Sequence, residues 1–190
     1  EFLAANPQYT SVLVSDARDV LFQRDPFAFE GGDSLFVFEE HSGTRLGAQQ
    51  DNARWIRNLY GPEALEALAE MPVICVGILL GARPRVEACI QAMIPQMISR
   101  YAGWGTDQGV PNYLIRSGHL NGVKVVPYGS GPAMHVGIAP RDTIRTDERG
   151  RILNREGTVC NIVHQYDRHP DLAERLLQNI SERAATSVSG

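Results

Sequence analysis

The sequence predicts an α/β fold, a sheet flanked by helices with its polar chemistry at strand ends, and three observations predict it. Short, continuously apolar runs stop abruptly in charged residues, as Val12, Leu13 and Val14 do before Asp16, Arg18 and Asp19; such runs suit strands covered on both faces in a parallel or mixed sheet. Between these runs lie longer segments whose apolar residues recur at helical spacing. The 190 residues, 43% hydrophobic and 21% charged, suffice for one globular domain over residues 1–190 with a sizeable core.

Residues 1–9 read as the tail of a helix stopped at Asn6 and Pro7. The chain starts at Glu1 without a methionine and soon enters its first strand, so it is read as the later part of a longer protein. That strand ends in Asp16, Arg18 and Asp19, where open α/β sheets place ligands, and two nearby acids suit a hard cation or an acid/base pair. The alternative is that Asp16 caps the turn while Asp19 pairs with Arg18 or Arg24. Asp25 and Pro26 then turn the chain, and Phe27 is expected to plug the core.

A second strand, Leu35 to Phe38, ends in Glu39, Glu40 and His41, which read as solvated strand-end charges or as ligands. Helices follow over Gln50 to Tyr60, with Trp55, Ile56 and Leu59 on one face, and over Glu63 to Met71. Val73 to Gly81 reads as a buried strand interrupted by Gly77, which marks a bulge or a close approach by a ligand or backbone. Arg83 and Pro84 open a helix with Val86, Cys89, Ile90, Met93 and Met97 on its apolar face, which Pro95 should kink or divide.

Thr106 or Asp107 can cap a helix with Val110, Tyr113 and Leu114 inward, leaving Asp107, Gln108 and Asn112 to turn toward a cleft. Gly122 to Tyr128 and Met134 to Ile138 are shorter strands joined by a glycine-containing loop, and the polar, arginine-rich residues 140–157 suggest a mobile surface loop. Another strand ends in His164, which either completes an oxygen-rich metal site begun by Asp16 and Asp19 or is structural. The helix from Pro170 directs Leu172, Leu176 and Leu177 inward, and residues 184–190 are expected to fray.

Composition narrows the function classes. A net charge of -4 argues against bulk electrostatic binding of nucleic acid. Cys75, Cys89 and Cys160 sit far apart in apolar segments, so they read as buried thiols in a reducing compartment, hence a cytoplasmic expectation. No apolar run approaches the roughly 18 to 20 residues of a membrane span, and no signal peptide is visible. Lys124 is the one lysine among 18 basic residues; the arginine bias reflects genomic composition or bidentate anion contacts.

Four segments in their order carry a resemblance: the strand with acids at Asp16 and Asp19 leading to Asp25-Pro-Phe27, Val-Gly-Ile-Leu-Leu-Gly at Val76 to Gly81, Gly-Thr-Asp-Gln-Gly-Val-Pro-Asn-Tyr-Leu-Ile at Gly105 to Ile115, and Val-His-Gln-Tyr-Asp-Arg-His-Pro at Val163 to Pro170. Together they resemble a nucleotide-sugar glycosyltransferase of the GT-A fold. The Asp-Gln-Gly-x-x-Asn string is similar to the acceptor-side segment of the glycogenin and galactinol synthase group, where a late strand-end histidine is the third metal ligand. The resemblance implies a mixed, mostly parallel sheet flanked by helices, here the C-terminal part of the domain without the first βαβ half that binds the nucleotide base. It implies a hexosyl- or pentosyltransferase of carbohydrate biosynthesis, moving sugar from a nucleotide-diphosphate donor to a glycan or other hydroxyl acceptor. If a membrane anchor lies upstream, the compartment becomes the Golgi lumen.

The same resemblance implies roles for individual residues. Asp16 would face donor ribose or metal, and Asp19 and His164 would hold Mn2+ or Mg2+. Gly77 would let the sugar approach, Arg18 and Arg168 would contact phosphate, and Asp107 and Gln108 would hold donor sugar or acceptor hydroxyls as the catalytic pair. The chain departs from the usual Asp-x-Asp, because Arg18 stands at the third position and the acid falls at Asp19. Two rivals are weighed against this reading. A phosphatase of the haloacid dehalogenase class would need an acid where Arg18 stands, and a noncatalytic carbohydrate- or nucleotide-binding module would need no chemistry.

Overall fold

The computed structural model describes residues 2–29 and 31–178. It is a mixed α/β structure that divides into two compact units, residues 2–15 with 31–127 and residues 16–29 with 128–178. The residues expected to fray, 184–190, lie outside those described.

The first unit begins with α1 (Phe2–Ala5), closed by Asn6, whose side-chain amide donates to the Phe2 carbonyl. Its sheet contains β1 (Ser11–Ser15), β3 (Leu35–Glu39), β4 (Ile74–Ala82) and β5 (Val123–Val126); β2 (Val20–Phe22) belongs to the second unit. The order is β1-β4-β3-β5. Both pairings of β4 are antiparallel, and β3 runs parallel to β5. With the two pairings of the second unit there are three antiparallel and two parallel pairs among the described residues, so the sheets are mixed but not mostly parallel. β1 is also not covered on both faces. It is an edge strand with Val12 and Leu13 half-buried and Val14 exposed, because a short apolar run looks alike at an edge and in a sheet centre.

β4 carries a wide irregularity. Val37 pairs with Leu79 and the next residue, Phe38, pairs with Cys75, so Val76, Gly77 and Ile78 bulge from the β3 ladder. Four helices complete this unit: α2 (Gln50–Tyr60), α3 (Pro62–Leu68), α4 (Arg83–Ser99) and α5 (Thr106–Arg116). Leu35, Val37, Ile74, Leu79, Val86 and Cys89 form one buried cluster, and Leu46, Ile56, Leu65, Leu68 and Val73 another. α4 runs on through Pro95 without division, because tertiary packing overrides the local penalty of a lost helix hydrogen bond.

In the second unit β2, β6 (Ala133–His135) and β7 (Ile162–His164) form a sheet in the order β2-β7-β6. β2 pairs antiparallel with β7, and β6 pairs parallel with it. Leu21 and Met134 are both register partners of Val163, and all three enter a core completed by Val136, Ile152 and Leu172. Gln23 anchors it: its amide donates to the carbonyls of Ile152 and Cys160 and accepts the Ile152 N–H. Buried donors and acceptors are thereby paired, as burial demands.

Three expectations are corrected here. Residues 140–157 are no loose loop: Ile144 and Ile152 are buried, and bridges join Thr146 to Ile152 and Leu153 to Val159. Phe27 is 45% exposed, held in a turn whose Asp25 carboxylate accepts the Phe27 N–H, and plugs no core. In the helical residues 170–178, Leu172 and Leu176 are buried while Leu177 points outward, one position too far round a helix whose inward face is set by the i, i+4 pair.

Candidate metal centre

Strand alternation decides which side chains can meet. Because Val163 enters the core, its neighbour His164 points to the opposite face of β7. His135 on β6 and Val20 on β2 are both register partners of His164. The Gln165 N–H donates to the Asp19 carbonyl at 2.7 Å, continuing the β2–β7 pairing by one residue and bringing Asp19 alongside His164.

The side chains follow. Nε2 of His164 lies 3.1 Å from Oδ2 of Asp16 and 3.6 Å from Oδ1 of Asp19. One ligand atom from each of the three falls within 4.8 Å of the others. Oxygen and nitrogen ligands about 2.1 Å from one ion stand roughly 3 Å apart around it, so the donor set and spacing fit a hard divalent cation. The side chains are 61%, 10% and 1% exposed for Asp16, Asp19 and His164, which gives the cluster a dry base at the imidazole and a wet mouth at Asp16.

Protonation also favours ligation. Burial holds the His164 imidazole below the ordinary histidine range, against the carboxylates of Asp19, Asp16 and Asp167, which draw it upward. His135, wholly buried, is held far below that range by burial and then by His164. Both rings are therefore neutral at neutral pH, the state in which imidazole offers a lone pair. They face each other through Nδ1 atoms 2.9 Å apart with the rings at 80°. Gln165, directly after His164, adopts φ 60° and ψ 33°, the one left-handed residue other than glycine among those described. Such strain costs about 1–3 kcal/mol and concentrates at functional sites.

The remaining candidates fall into distinct settings. Arg18 is exposed on the turn between the acids, and Arg168 is exposed with its guanidinium 3.6 Å from Asp167. In the first unit Gly77 lies buried within the β4 bulge. Asp107 is exposed and its carboxylate accepts the Gln108 N–H. Gln108 turns to backbone: its amide donates to the Ile74 carbonyl at 2.8 Å and accepts the Val76 N–H at 3.1 Å. Asn112, expected to face a cleft, is fully buried; it accepts the Ile74 N–H and donates to the carbonyls of Ile74 and Gln108. The helix start is Gly105 at φ 86°, with neither Thr106 nor Asp107 as cap.

Among the strand-end charges of β3, Glu39 pairs with Arg116 at 3.4 Å, and burial raises the Glu40 carboxyl. The three cysteines are buried and form no disulfide; burial pushes the Cys89 thiol up to about 11 and the Cys160 thiol to about 12, so neither is a ready nucleophile. No described helix is long and apolar enough to cross a membrane.

Sequence reasoning missed His135. Its one signal was a histidine inside a short apolar strand, and only the β6–β7 register reveals its partner.

Comparison with family models, curated proteins and solved structures finds no match to this chain.

Proposed function

We propose that this chain is a metal-dependent glycosyltransferase that moves a sugar from a nucleotide-diphosphate donor to a hydroxyl acceptor. The observation that supports it is the meeting of Asp16, Asp19 and His164 within 4.8 Å, from strand ends far apart in sequence. A GT-A-like arrangement of the strands belongs to the same reading. In the transfer, the acceptor oxygen bonds to the anomeric carbon and gives its proton to a base, while the bond from that carbon to the donor phosphate breaks and the nucleoside diphosphate leaves with the electron pair. A bound Mn2+ or Mg2+ would neutralise charge gathering on that leaving group. Asp16, Asp19 and His164 would hold the ion from one side, with the open side toward Asp16 available to pyrophosphate. Arg18 and Arg168 would add phosphate contacts.

Calorimetric titration with Mn2+, followed by hydrolysis of a panel of nucleotide sugars with and without the ion, tests the reading. Mn2+ binding with nucleotide-sugar turnover that vanishes on chelation is expected. Turnover of a phosphate monoester in its place, or Mn2+ binding without turnover of any donor or acceptor pair, would overturn it.

A further inference from the structure

We propose that His135 is a positioning residue for this centre: when a cation is bound, it accepts the Nδ1 proton of His164 and so leaves the His164 Nε2 lone pair facing Asp16 and Asp19. The inference rests on the metal reading above and deepens it.

Two ring nitrogens 2.9 Å apart attract only if one carries a proton and the other a lone pair. The buried pair therefore has two neutral arrangements. In one, His135 donates from Nδ1 to His164, whose own proton sits on Nε2 and is directed to Asp16 Oδ2 at 3.1 Å. In the other, His164 donates from Nδ1, His135 carries its proton on Nε2, and His164 Nε2 is bare. Each ring keeps one proton throughout, exchanged between positions through solvent.

The first arrangement satisfies the carboxylates without an ion, and the second satisfies the ion, which bonds only to a lone pair. A ligating histidine gains orientation and basicity when its other nitrogen donates to a fixed acceptor. Here that acceptor is a second imidazole, fixed because β6 and β7 run parallel with His135 and His164 in register. A carboxylate in its place would favour the ion-binding tautomer permanently. An imidazole can serve either state.

The test uses the full chain labelled with 15N-histidine. Long-range 15N–1H spectra should place the His164 proton on Nε2 in chelated protein and on Nδ1 after saturation with Mg2+. His135→Leu removes the acceptor and should weaken Mn2+ binding about 10–100-fold by calorimetry. His135→Asn, whose Oδ1 can stand near the former Nδ1, should restore affinity to within about threefold. His164 keeping its Nε2 proton with Mg2+ bound, or unchanged Mn2+ affinity in His135→Leu, overturns the proposal and leaves the metal reading standing. Absence of Mn2+ and Mg2+ binding by the unaltered chain overturns both. The spectra of the unaltered chain decide the question even if His135→Leu does not fold.

Discussion

Val20 lies directly opposite His164 in the antiparallel β2–β7 pair. The preceding residue, Asp19, accepts the Gln165 N–H through its carbonyl. Its carboxylate is thus set by a backbone ladder, whereas Asp16 reaches the same imidazole from the exposed turn. Replacing Asp19 with Asn should accordingly lower Mn2+ affinity about 10–100-fold and the same change at Asp16 only a few-fold, read by calorimetry. Equal losses would mean that burial does not rank these ligands.

Stability should fall with acidity in a window that the two histidines define. Both imidazoles sit below the ordinary value of 6.5 in the native state, His135 through burial and His164, and His164 through burial opposed by Asp19, Asp16 and Asp167. Above pH 6.5 native and unfolded chains both hold these rings neutral, so these groups add no slope. Below it the unfolded chain takes up protons that the native chain refuses, and stability falls by up to about 1.4 kcal/mol per pH unit for each ring. Urea denaturation of chelated protein between pH 7.5 and 5.5 should show this decline, shallower in His135→Asn. Stability rising over the same interval would contradict the burial of either ring in neutral form.

Asn112 is fully buried and makes three hydrogen bonds, two of them to Ile74 beside the β4 bulge. Leucine at 112 would leave the Ile74 N–H and carbonyl without those partners, at a cost of about 2–4 kcal/mol. Chemical denaturation of Asn112→Leu checks this. A loss below about 0.5 kcal/mol would show that the bulge is held by other contacts.

Gly105 combines φ 86° with a position where a Cβ would overlap the indole of Trp55. Gly105→Ala therefore meets both the left-handed penalty and overpacking, together about 2–4 kcal/mol. The indole also meets Trp104 edge-on at 5.0 Å, so altered Trp fluorescence should accompany the loss. Unchanged melting and fluorescence would show that Trp55 yields freely.

What could be read in advance follows from the range of each signal. α2 coincides with the expected helix over Gln50 to Tyr60, since Ile56 and Leu59 state its buried face locally. The end of β7 at His164 was legible because an apolar run stops there. The β4 bulge was signalled by Gly77, one of the two readings that its place inside a strand offered, whereas the edge position of β1 and the His135 pairing were not legible, since each is a property of register between distant segments. Gln108 and Asn112 stood out as polar residues on an apolar helix, but their use on the Ile74 backbone depends on a strand more than thirty residues earlier. The acids at positions 16 and 19 were visible as strand-end charges, and which imidazole would join them depended on the β2–β7 ladder.

That ladder also sets a timetable for biogenesis. Asp16 and His164 stand 148 residues apart, so at translation rates of about 5–20 residues per second the first carboxylate waits on the order of ten seconds for its imidazole to be synthesised. Throughout that interval β2 has no β7 to pair with, and the nascent chain cannot assemble the three-ligand cluster. Ion capture is thereby deferred until the chain has been made through His164, which makes it no aid to the earliest folding steps of the segment that carries the acids.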